Sequence, residues 1–98
     1  MPTRITKTQA LQRTKRMLKR EWQLPQEPTS DKPLRGAPPS GLGKNDNAIR
    51  ALETPIESVD FADVNAAVTG ANLIAAKTVA DLRDKIWDGI PNANKRDS

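Results

Sequence analysis

The fold class this sequence predicts is mainly α and non-globular overall: a basic amphipathic helix over residues 1–24, an extended Pro/Gly-rich arm over 25–45, a small helical C-terminal region over 46–91, and a polar tail over 92–98. Three observations predict it. A capping-box pair opens a stretch whose apolar residues recur at helical spacing. Five prolines and three glycines then crowd into residues 25–44. Core-forming residues return only after residue 45, in short runs broken by proline or glycine.

The first helix starts at Thr6, which is followed three residues later by Gln9, so side chain and backbone can satisfy each other's open hydrogen bonds. It should end near Gln23, because Pro25 disfavours the α conformation at Leu24 and has no N–H for a further turn. At 100° per residue, Leu11, Leu18 and Trp22 share one stripe, widened by Ala10, Thr14 and Met17. The opposite face carries Arg13, Lys15, Arg16, Lys19 and Arg20, interleaved with Gln9, Gln12 and Gln23. The first acid is Glu21, so seven cations precede any carboxylate.

The arm has only Leu34 and Leu42 as large apolar side chains and reads as a stiff spacer laid along another surface. Pro25 and Pro28 form a lone P-x-x-P, and Gly41-Leu42-Gly43-Lys44 lacks the spacing and preceding strand of a phosphate loop, so a hinge is the better reading. Beyond it, Asn45 or Asp46 caps a short helix through Ile49 and Leu52 that Pro55 should interrupt. Asp60 then caps a helix bearing Phe61, Val64 and Val68, with Gly70 as its stop. Residues 72–77 are too short to distinguish a strand from a helical turn. Thr78 and Asp81 form a capping box for the last helix, which Gly89 and Pro91 close. Val79, Leu82, Ile86 and Trp87 form its apolar side, and Asp81, Asp84 and Asp88 a solvated acidic arc that does not converge on a metal ion.

The bulk composition narrows the chemistry. There is no cysteine and no histidine, which removes disulfides, thiolate nucleophiles, imidazole bases and most transition-metal ligation. No nucleophile–base pair stands out, so the chain is expected to be no enzyme and to use no cofactor. Its longest apolar run, residues 73–76, is far too short for a membrane span, and no apolar segment of a secretory signal follows the basic start. A soluble protein, intracellular or virion-associated, is expected. Hydrophobic residues make up 36% of the chain, below the usual roughly 45–50%. The net charge of +4 is split: residues 1–44 hold ten Lys/Arg and three acids, whereas 45–98 hold six and nine. Either the N-terminal half meets something anionic, or the two halves meet each other.

With so few large apolar side chains, order is expected to come from a larger protein assembly or from homo-oligomerisation. Leu11, Leu18 and Trp22 would pack on that partner, while Arg13, Lys15, Arg16, Lys19 and Arg20 would meet an acidic protein surface or a polyanion. The expected function is that of a non-catalytic assembly protein, most concretely an accessory capsid or tail component of a virion. The alternative is a nucleic-acid-binding protein using the basic helix on phosphates. A helix lying flat on a membrane with Trp22 at the boundary is the least favoured partner reading.

Overall fold

The computed structural model describes residues 4–38 and 40–96. Among them the regular elements are helical: α1 (Lys7–Glu21), α2 (Asp46–Arg50), a short α3 (Glu53–Pro55) running into a π turn (Ile56–Asp60), a 3-10 turn (Ala62–Val64), α4 (Gly70–Leu73), α5 (Val79–Asp88) and a final 3-10 turn (Asn92–Asn94). The mainly helical class is as the sequence predicts.

α1 and α5 are the long elements, and each opens on the capping box read from the sequence. The Thr6 hydroxyl accepts from the Gln9 N–H while the Gln9 side chain accepts from the Thr6 N–H. Thr78 and Asp81 repeat the arrangement. α1 ends at Glu21, four residues before Pro25, with Gln23 in the left-handed region at φ 52° and the Leu24 N–H bonded to the Lys19 carbonyl at 3.0 Å. That pairing is the six-to-one bond of a Schellman stop, here with glutamine where glycine is usual.

The helices pack around one core that draws on every segment. Ile5, Met17 and Leu18 enter it from the N-terminal part, Leu34 from the arm, and Ile49, Ile56, Phe61, Leu73, Leu82 and Ile86 from the rest. Burying each such side chain contributes roughly 1.5–3 kcal/mol. The Cα radius of gyration is 12.6 Å, matching the ~13 Å of a compact 100-residue domain. The expectation of a non-globular chain is therefore corrected. Counting each segment's apolar residues separately understated a core to which the helix and the arm both contribute.

The arm is not extended over a foreign surface but folded on the chain's own. Its two limbs are stitched by Leu42 N–H to Pro33 carbonyl, 2.9 Å, and Lys44 N–H to Leu34 carbonyl, 2.9 Å. Pro33 forms an antiparallel bridge with Thr78, and the Leu34, Val79 and Ala80 amides complete the seam to the start of α5. Arg35 clamps the arm further, donating from Nε to Asp46 Oδ1 at 2.8 Å and from Nη1 to the Ala76 carbonyl at 2.8 Å. A third bond runs from its Nη2 to the Ile74 carbonyl.

Three further local expectations change. Pro55 does not interrupt a helix: the break falls at residues 51–52, and Pro55 lies in the first turn of the next helical segment, where no N–H is required. Gly70 opens α4 instead of closing a helix, with Thr69 as its cap; the preceding turn stops at Asn65, φ 56°. Of the expected tail over 92–98, residues 92–96 are not frayed, and 97–98 lie outside the described residues. Ile5 and Lys95 form a parallel bridge, the Asn94 side chain donates to the Val64 carbonyl at 2.9 Å in the interior, and the Arg96 N–H donates to the Ile5 carbonyl at 2.8 Å.

Candidate basic face of the first helix

α1 presents Ala10, Thr14, Met17 and Leu18 to the core, and the Thr14 hydroxyl donates to the Ala10 carbonyl one turn back. That orientation decides the fate of the predicted packing stripe. Leu18 is fully buried in the chain's own core, and Leu11 and Trp22 are half-buried against it. The surface assigned to a partner is thus used internally, because α5 and the π turn supply the apolar contacts first.

The five predicted cations separate into two groups. Arg13 and Arg20 lie seven residues apart, almost the same azimuth after two turns, and both lean toward the segment carrying Asp60 and Asp63. Arg13 grips Asp63 through two parallel bonds, 2.7 and 3.1 Å, and donates to the Asp60 carbonyl at 3.0 Å. Its guanidinium also sits 5.8 Å from the Phe61 ring centroid. Arg20 grips Asp60 in the same forked way, 3.0 and 2.7 Å, and bonds Glu21 at 2.9 Å. The hydrogen bonds from Arg13 hold the Asp63 carboxyl below its ordinary pKa. Those that Arg20 donates to Asp60, then to Glu21, hold its guanidinium still more firmly protonated.

Lys15, Arg16 and Lys19 are the second group. Among the described residues none of their side chains has a hydrogen bond, ion pair or ring contact, although Arg16 lines a depression it shares with Asp60. Arg16 and Lys19 are exposed, with Gln12 beside them. Shallow depressions flank Arg16 on both sides, one bounded by Arg13, Arg20, Val59 and Asp60, the other by Arg4, Gln9 and Gln12.

Sequence reasoning missed Asp60 and Asp63 as partners of the basic helix, reading Asp60 as a helix cap. The available signal was the charge split. Lys7–Asp84, Arg13–Asp63, Arg20–Asp60 and Arg35–Asp46 all join the basic half to the acidic half. The acidic arc of α5 is correspondingly less solvated than expected: Asp81 caps its own helix, while Asp84 pairs with Lys7 and Arg83. Both tryptophans are capped by lysines, Lys44 at 5.5 Å from the Trp22 centroid and Lys95 at 5.1 Å from that of Trp87. No helix among the described residues is long and apolar enough to cross a membrane. The chain matches no protein-family model, no curated protein and no solved structure.

Proposed function

We propose that this protein is a non-catalytic accessory component of a larger assembly, held there by electrostatic contact between the outer face of α1 and an anionic macromolecule. The observation that carries this reading is the division of the basic helix: Asp60 and Asp63 neutralise Arg20 and Arg13, while Lys15, Arg16 and Lys19 are left without a counter-charge among the described residues. The non-catalytic part rests on a composition without histidine or cysteine. A capsid or tail position in a virion is the concrete setting proposed, since a chain of this size would serve there as a clamp between an anionic surface and its neighbours.

A contact led by charge differs from one led by an apolar stripe in its response to salt. Co-sedimentation of the native assembly from its source should retain the chain at low ionic strength and release it as salt rises. K15A/R16A/K19A should be lost from the assembly even at low salt, with an unchanged melting temperature. Retention of that triple variant through the same salt range would defeat the proposal.

A further inference from the structure

The charge balance of the folded molecule differs from its composition. Among the described carboxylates only Glu27 and Asp88 take part in no hydrogen bond or ion pair; the others are held by arginines, lysines, hydroxyls or backbone amides. The side chains of Arg4, Lys15, Arg16, Lys19 and Arg96, and of Arg50, Lys77 and Lys85 on other elements, have no such partner among those residues, and Lys44 and Lys95 have ring contacts alone. A formal +4 therefore conceals a cationic surface with little opposing charge.

The first five of these cations, on α1 and beside its start, form one band. Arg4 shares a depression with Gln9, Gln12 and Arg16, which joins the chain start to the outer face of α1. Arg96 belongs to the same end of the molecule: the Ile5–Lys95 bridge is parallel, Ile5 points into the core, and Lys95 covers Trp87. Arg4 and Arg96 are both exposed, and the Arg96 N–H bonds to the carbonyl of Ile5, the residue after Arg4, so the two lie close together at that end. The band runs the length of α1, about 20 Å at 1.5 Å per residue. That is the axial length of roughly six base pairs at 3.4 Å each.

Two features decide what such a band takes. Protein interfaces are anchored by a buried apolar or aromatic cluster, and this band has none; Val59, the one large apolar side chain strongly exposed among the described residues, stands alone in the depression it shares with Arg16 and Asp60. Single-stranded nucleic acid is held by bases stacking on aromatic rings, and here Trp22 and Trp87 are half-buried beneath Lys44 and Lys95 while Phe61 is buried. Cations interleaved with glutamine donors suit phosphodiester oxygens. We propose that the outer face of α1, extended by Arg4 and Arg96 across the paired chain ends, is a binding surface for the backbone of duplex nucleic acid, without base readout. This rests on the anionic-contact reading above and names its partner class.

The test uses the full chain with three probes at matched charge: a 20-base-pair duplex DNA, a single strand of about 40 nucleotides of mixed sequence and poly-glutamate of about 40 residues, followed by fluorescence anisotropy against salt. The duplex should bind tightest, with affinity falling by a log–log slope of about 4–5 for five contacts. R4A/R96A should lower that slope by about 2, one for each cation removed, with no change in circular dichroism. An unchanged slope in R4A/R96A, or poly-glutamate or the single strand binding as tightly as the duplex, overturns this inference while leaving an anionic partner for α1 intact. Failure of the wild-type chain to bind any of the three at low salt overturns both.

Discussion

Arg13 and Arg20 show how position relative to a turn overrides position on a helical wheel. Both belong to the basic arc by sequence, yet each is claimed by a carboxylate some forty to fifty residues away. Forked guanidinium–carboxylate bonds are directional, but these pairs are partly exposed, with Asp63 at 43%, and each contributes only about 0.5–1 kcal/mol after solvent screening. The Asp63 carboxyl is held below its ordinary pKa by Arg13, so its stabilisation is present above the unfolded value near pH 3.9 and lost as pH falls through the lower folded value. Asp63→Asn should therefore be less stable than wild type by about 0.5–1 kcal/mol at pH 7 in urea unfolding. The gap should narrow as pH drops below about 4, where wild type loses the same ion pair. A pH-independent gap would show that the amide disturbs packing and not charge. Lys15, Arg16 and Lys19 have no such partner, which is why their removal is assigned to binding and not to stability.

At the scale of elements, legibility followed how local the determining interaction is. α1 and α5 were readable because each capping box spans three residues and each stop lies within a few residues of a proline or glycine. The 46–77 region was not, because its turns are set by long-range demands. Glu57 accepts from the Val68 N–H and Glu53 from the Gly70 N–H, so carboxylates eleven and seventeen residues upstream act beside the local Thr69 cap in fixing where the chain bends. Gly70 resembles a helix stop in sequence but serves as a close crossing: an added Cβ would meet the Arg50 side chain. The arm was illegible for the same reason. Its order comes from Leu34 in the core, the Arg35 clamp and a backbone crossing at Gly41, where an added Cβ would collide with the Gly36 carbonyl and Cα. Gly41→Ala should consequently destabilise the fold by about 1–3 kcal/mol, the range for overpacking against backbone that cannot yield. Hydrogen exchange should locate the loss at the Leu42, Gly43 and Lys44 amides, which bond back across the arm. Unaltered protection there would mean that the two limbs of the arm do not cross at this point.

The candidate site at molecular scale depends on both chain ends and on the arm, since the same core fixes α1, the Ile5–Lys95 bridge and Leu34. Composition alone argued for a chain ordered by its neighbours. The fold resolves that deficit by pooling: a helix with too little to pack on, an arm with two leucines and a helical cluster with a thin core become adequate when Met17, Leu18, Leu34 and Phe61 fill one interior. Such pooling has a consequence that partner-induced order does not share, because removing any contributor should unfold the whole. Trp22 lies at the junction of α1 and the arm, and Trp87 near the end of α5, so single-tryptophan versions of the chain report the two regions independently. Both should unfold at one denaturant midpoint and at one protein concentration dependence, that of a monomer. Small-angle scattering of the isolated chain should give a radius of gyration near 13 Å, against about 30 Å for an unfolded chain of this length. Separate midpoints for Trp22 and Trp87, or a radius well above the compact value that falls only when a duplex is added, would return the arm and α1 to the partner. The band of cations would then be assembled by binding instead of presented for it.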